Sequence, residues 1–254
     1  MDTALFRENA GRLRVGLAAE LGCQPAAFDG HDLTIVPRPP EARGSFVAVL
    51  TSFGTGTVAS IQPAYLDFAR ALSVEKHFRA MYGVFLDPLV EEGRRRGEKL
   101  ASRTPNLCFT LSELREPKAL PGGFTLAFPD PAWRRHCKAT GVFHNALGSP
   151  EDAWPESTAG ITVALIDPNG EPAAVVGTWD EAPGIIEIGV DVARTWRGHG
   201  FAEVVVNAAA TKILELGRVP VYMCAPTNIR SHRTALACGF LPVASFARVG
   251  PEAP

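Results

Sequence analysis

The run Arg197-Gly198-His199-Gly200-Phe201-Ala202 lies between an apolar segment, Ile185 to Val192, and a stretch of helical spacing, Phe201 to Gly217. A strand-to-helix turn of this composition can hold an anion. The first amides of a helix have no partner inside it, the helix dipole is positive there, and Gly198 and Gly200 let a diphosphate approach the main chain. Arg197 adds a fixed positive charge. Two other phosphate-binding patterns fit poorly. A dinucleotide fingerprint needs a third glycine where Glu203 stands and belongs to a parallel βαβ unit, whereas the strands ahead of this loop read as hairpins. A P-loop needs Lys followed by Ser or Thr after its second glycine, and neither is there.

Several side chains near this loop can move protons. Glu187 stands ten residues before Arg197 on the apolar segment, and its carboxylate can take a proton. Ser231 and His232 fall at a loop-to-helix junction after the next strand, which carries Tyr222. His199, between the two glycines, points outward or toward bound phosphates. Cys224 shares a strand face with Tyr222, and with no histidine near it in sequence it reads as a buried thiol rather than a nucleophile. No cluster of His, Cys, Asp and Glu has metal-ligand spacing, so no metal is expected.

The elements that must position these groups follow from periodicity. Ile161 to Ile166 is a strand, Asp167-Pro168-Asn169-Gly170 a turn, and Ala173 to Thr178 the returning strand. A turn at Asp180 to Gly184 leads into Ile185 to Val192. Phe201, Val205, Ala209, Ile213 and Leu216 share one face of the helix Phe201 to Gly217. Val219 to Cys224 is a strand, Asn228 to Cys238 a helix closed by Gly239, and Leu241 to Val249 a last strand. The resulting order is β-β-β-loop-α-β-α-β.

Upstream, residues 3 to 21 form an amphipathic helix through Leu5, Leu13, Val15, Leu17, Ala18 and Leu21, stopped by Gly22. Asp32 to Val36, Ser45 to Leu50 and Gly56 to Ile61 read as strands, and Pro63 opens a helix. Asp87 to Ala101 reads as a second helical stretch, and Asn106 to Thr110 and Gly123 to Ala127 as short strands. The run Gly148 to Pro155 has linker composition. The chain is therefore divided into an N-terminal α/β region, 1–150, and a C-terminal domain, 151–254.

The C-terminal pattern resembles the GNAT (N-acetyltransferase) superfamily. That family's signature is Arg or Gln, two residues, Gly, one residue, then Gly or Ala, opening the helix after the central strand. Arg197, Gly200 and Ala202 match it. Asn228-Ile229-Arg230-Ser231 and Cys238-Gly239-Phe240 match its downstream Asn-x-x-Ser/Ala and Gly-Phe elements. The stretch Glu187 to Glu203 looks most like members that acetylate protein N-termini. The resemblance covers about residues 159 to 249.

The resemblance implies an α/β GNAT fold, a mixed and mostly antiparallel sheet flanked by helices, preceded by an α/β N-terminal half. That half would complete the substrate cleft or form a degenerate GNAT-like domain. The central strand and its neighbour splay apart, and acetyl-CoA lies in the wedge. Main chain at Val190 and Val192 would bind the pantetheine arm, and Arg197, Gly198, His199, Gly200, Phe201 and Ala202 the pyrophosphate. Asn228 would contact the pantetheine or orient its loop. A neutral primary amine, on a small molecule or a protein N-terminus, would attack the thioester directly, with Glu187 as base.

The family's usual thiolate acid is a tyrosine seven residues after the asparagine, where this chain has Ala235. That leaves Ser231, His232, Tyr222 or water as the donor. It also keeps open a different class of function, a non-catalytic acyl-CoA sensor or regulatory module. A dinucleotide-dependent oxidoreductase is a third reading.

Composition bounds the rest. Over 254 residues the formal net charge is −2, which argues against a nucleic-acid footprint despite Arg94-Arg95-Arg96. No stretch approaches the length of a membrane span. The start Met1-Asp2-Thr3-Ala4-Leu5-Phe6-Arg7 lacks the order of a secretory signal, so a cytoplasmic location is expected. Arginine outnumbers lysine 20 to 5, the bias of a GC-rich bacterial genome. The five scattered cysteines read as reduced, mostly buried thiols. The acceptor amine and the choice between monomer and homodimer are not written in the sequence, although the lack of an acidic cleft signal disfavours polycationic acceptors.

Overall fold

The computed structural model describes residues 3–116, 119–149 and 160–252. In chain order the elements are α1 (Ala4–Leu21), β1 (Leu33–Pro37), β2 (Ala48–Ser52), β3 (Thr57–Ile61), α2 (Leu66–Ala71), α3 (Gly83–Arg95), β4 (Leu100–Leu111) and β5 (Thr125–Ala127). They continue with α4 (Pro131–Ala139), α5 (His144–Leu147), β6 (Thr162–Ile166), β7 (Pro172–Ala182), β8 (Ile185–Val192), α6 (Phe201–Glu215), β9 (Val219–Cys224), α7 (Ile229–Ala237) and β10 (Phe240–Pro251). The fold is mixed α/β, with strands that pair mostly antiparallel. The run at 150–159, where the sequence analysis places its domain boundary, lies outside the described residues.

Contacts divide the chain into two compact units. One takes Gly11–Cys108, Cys224–Asn228 and the chain from Pro242 onward. Its strands run in the order β1-β3-β2-β10, with β1 and β3 parallel and the other pairs antiparallel. Every residue of β2 and β3 is buried, the hydroxyl residues Thr51, Ser52, Thr57 and Ser60 among them. Leu50, Ile61, Tyr65, Phe85 and Leu89 fill the core.

Several expectations change here, among them that β4 begins at Leu100 rather than Asn106. Leu13, Leu17 and Leu21, a turn apart on one face of α1, are buried, but Val15 faces solvent. Helix α3 begins and ends earlier than the 87–101 expected. Gly97, at φ +79°, ends it in a Schellman arrangement: the Glu98 N–H donates to the Gly93 carbonyl and the Gly97 N–H to that of Arg94.

The other unit takes residues up to Ala10, Phe109–Met223 and Ile229–Leu241. Strands β5, β6, β7 and β8 lie side by side in antiparallel register. The chain then crosses through α6 to β9, which runs parallel to β8. The loop of interest therefore follows an antiparallel meander and opens a single parallel crossover. β7 extends to Ala182 across a register shift, shortening the turn expected at Asp180 to Gly184.

The apolar ladder Phe201, Val205, Ala209 and Ile213 is buried along α6 as spacing predicts, whereas Leu216 lies past the helix end and is exposed. On the sheet, Gly177 and Gly189 are cross-strand partners. A Cβ on Gly177 would run into the Ala146 carbonyl, and one on Gly189 into the Asn145 carbonyl and the Trp179 ring. The glycine pair is thus a flat seat for α5. Asp191, two residues on from Gly189, fastens that helix. Its carboxylate accepts from the Asn145 and Ala146 amides (2.6 and 3.1 Å) and from Asn145 Nδ2 (2.8 Å).

Candidate active site

The site is built from β8, the loop after it, α6, β9 and α7. Parallel pairing of β8 with β9 covers only Ile185↔Val219 to Ile188↔Tyr222. Beyond that rung β8 continues through Gly189 to Val192 with no register partner on β9 among the described residues. The Ala193 N–H donates to the Ala173 carbonyl on the β7 side (2.9 Å). By strand alternation the main-chain groups of Val192 and Val190 therefore point the other way, toward the opening. One is already used, because Arg197 Nε donates to the Val192 carbonyl (3.3 Å). The guanidinium thereby closes the end of β8.

The loop turns at Gly198 (φ +85°) and Gly200 (φ +81°), a backbone region natural only to glycine. Gly200 is the N-cap of α6 and brings no side-chain cap. Its carbonyl accepts the Glu203 N–H (3.1 Å). By helix geometry the amides of Phe201 and Ala202 have no acceptor a turn earlier. Those from Gly198 to Gly200 donate to no main-chain carbonyl of the described residues. A Cβ added at Gly198 would meet nothing within 4 Å. The start of α6 thus carries amides with no main-chain partner among the described residues, and the space beside Gly198 is open.

Side chains brace this loop from behind. Phe124 stacks edge-on against Trp196 (5.1 Å between ring centres) and tilts against Phe201 (4.9 Å). His199 is exposed and rests against the loop it belongs to. Its ring lies 5.9 Å from Trp196 and 5.7 Å from Phe201, and Nδ1 is 3.2 Å from the Trp196 and Arg197 carbonyls. Asp167 of the β6–β7 turn is held below the usual carboxylate range by the Glu171 amide first, then by Asn169 and by the Trp196 side chain. Phe124 and Asp167 escape a reading of the sequence because they reach the loop only through folding.

Alternation along β8 sorts the candidate acid and base. Gly189 faces α5, so Glu187 and Asp191 share that face, while Ile186 and Ile188 take the other. Tyr222 is level with Ile188 and in parallel register takes Ile188's face. Its hydroxyl lies 2.7 Å from Ser231 Oγ on α7. His232, the next residue, sets its ring edge-on to Phe109 at 5.3 Å, with Nε2 buried and unpartnered.

Ala235 is wholly buried. Asn228 immediately precedes α7 and belongs to the other compact unit, as does Cys224. Four of the five cysteines are buried, and all are free. No group of three or more His, Cys, Asp or Glu among the described residues is arranged to hold a metal ion.

A family model described as the acetyltransferase (GNAT) family matches residues 128–240. Residues 128–240 are a GNAT acetyltransferase domain. The match takes in α4 and α5 as well as the loop, α6, β9 and α7. The GNAT family uses acetyl-CoA, and its activity class is acyl transfer.

Among solved structures, the chain is similar to a GCN5-related N-acetyltransferase from Kribbella flavida. That likeness has 18% identity, covers 96% of each chain and has a TM-score of 0.52. A Drosophila protein is similar at 12% identity over 97% of this chain and 89% of its own, with a TM-score of 0.51. Both likenesses are of fold. No curated protein matches the sequence.

Proposed function

We propose that this chain is an N-acetyltransferase in which a primary amine, on a small molecule or a peptide N-terminus, attacks the acetyl-CoA thioester directly. The observation that carries this reading is the end of β8–β9 pairing at Ile188↔Tyr222, one strand length before the unpaired amides at the start of α6. A cofactor laid in that opening adds to the β8 edge through the Val190 main chain and the Val192 N–H. Its diphosphate meets the amides of Gly198 to Ala202, where the helix dipole favours negative charge. Arg197 contributes charge while it ties the end of β8. His199, folded onto the loop aromatics, shapes the turn, and Asn228 orients the chain entering α7.

Glu187 lies on the face of β8 opposite Tyr222, so the base and the Tyr222–Ser231 hydroxyls stand on two sides of the sheet. The amine arrives on the α5 face and loses its proton toward Glu187, directly or through water. Glu187→Gln should lower turnover by roughly 10²- to 10⁴-fold, the usual contribution of a general base, with acetyl-CoA affinity little changed. The assay is CoA release from acetyl-CoA across a panel of small amines and free-amino-terminal tripeptides, with affinity read by calorimetry. Unaltered turnover would remove Glu187 from the reaction.

Ala235 favours a second reading, since the position of the family's thiolate acid carries only a buried methyl. Tight acetyl-CoA binding with no CoA release across the whole panel would make the chain an acyl-CoA sensor.

A further inference from the structure

The departing thiolate needs a proton, and Ala235 has none to give. Ser231 lies one helical turn before Ala235, so the two share a face of α7. Ser231 is half-buried, whereas Tyr222 is 3% exposed. The Tyr222 ring leaves β9 at the last rung paired with β8, where the strands begin to part, and its hydroxyl is 2.7 Å from Ser231 Oγ. A serine hydroxyl alone is a weak acid, but a phenol titrates near pH 10.

Taking the N-acetyltransferase reading as its ground, we propose that Ser231, backed by Tyr222, is the thiolate acid of this protein, a strand-and-helix hydroxyl pair standing in for the helix tyrosine. As the carbon–sulfur bond breaks, its electron pair stays on sulfur. Ser231 Oγ gives its proton to that sulfur and takes the proton of Tyr222 Oη. The tyrosinate regains a proton from water, while the proton lost by the amine leaves through Glu187. Ser231 is the catalytic residue of the pair, and Tyr222 is a positioning residue that supplies the proton behind it.

The test uses CoA itself and needs no known acceptor. The thiolate of CoA bound to the full chain is titrated by its ultraviolet absorbance, for the wild type, Tyr222→Phe and Ser231→Ala. A hydroxyl donating to the sulfur stabilises the thiolate, so bound CoA in the wild type should titrate below free CoA. Ser231→Ala should raise that midpoint by about one to two pH units, the scale of a hydrogen bond to a charged atom, and Tyr222→Phe by a smaller amount.

Both variants should keep the wild-type affinity for CoA at about pH 6, where the thiol is protonated and a bond to the thiolate contributes little, which separates this role from simple packing. A midpoint unchanged in both variants overturns the proposal, and one that moves only in Ser231→Ala overturns the part given to Tyr222. Failure of CoA to bind the wild type contradicts the acetyltransferase reading itself. If Tyr222→Phe does not fold, Ser231→Ala on the half-buried helix face still decides whether a hydroxyl donates to the sulfur.

Discussion

Gly198 concentrates the residue-scale argument. Its φ of +85° and the open space before it are separate facts, and a side chain there disturbs them differently. Gly198→Val should cost about 1–2 kcal/mol of folding stability through the left-handed conformation. In acetyl-CoA affinity it should lose about tenfold or more, because the branched side chain fills the space the diphosphate needs. A melting curve measures the first and calorimetric titration the second, and retained affinity would count against the cradle. The glycines and Glu187 are marked as candidates in the sequence by their spacing to one loop, and Ser231 by its place in the Asn228-to-Ser231 element. The link between Tyr222 and Ser231 is not, because nine residues and a crossing of elements separate the two hydroxyls. The cysteines keep to their expected character: burial, with Glu203 nearby, pushes the Cys238 thiol up to about 12, which leaves it protonated and inert.

At the scale of elements, β8 and β9 take the spans their apolar runs predict, and α6 buries the ladder its period predicts. Neither α4 nor α5 is among the elements expected from the sequence. α5 is a single turn, held by the Gly177–Gly189 seat and by Asp191 from a strand far along the chain, and no local periodicity marks such a helix. The β6–β7 turn has a similar long-range role, since Asp167 accepts from its own turn amides and from Trp196 of the cofactor loop.

Asp167 titrates below its ordinary value in the folded chain. Its stabilisation is thus complete above the unfolded-state titration and fades as pH falls through the folded one. Asp167→Asn should lower the melting temperature at pH 7, with the gap from wild type narrowing on acidification below about pH 4. Melting curves across that range check it. A gap that stays constant into acid would show that charge on Asp167 does not hold the turn.

On the scale of the whole molecule, the family match covers 128–240, while the similarity of fold to the Kribbella flavida structure extends over 96% of the chain. The strands of the first hundred residues are visible in the sequence, but their arrangement is not. β1 pairs in parallel with β3, and β3 separates β1 from β2: the turn at residues 53–56 joins β2 to β3, whereas no local signal sets β1 beside β3. Among the described residues no helix is long and apolar enough to cross a membrane.

The claim on which the functional account rests is that the start of α6 and the free edge of β8 bind acetyl-CoA, and a crystal structure of the chain soaked with acetyl-CoA tests it most directly. The account predicts diphosphate oxygens within hydrogen-bond distance of the amides from Gly198 to Ala202, with the pantetheine arm running along Val190 to Val192. Acetyl-CoA seated elsewhere, with those five amides facing only water, would contradict it.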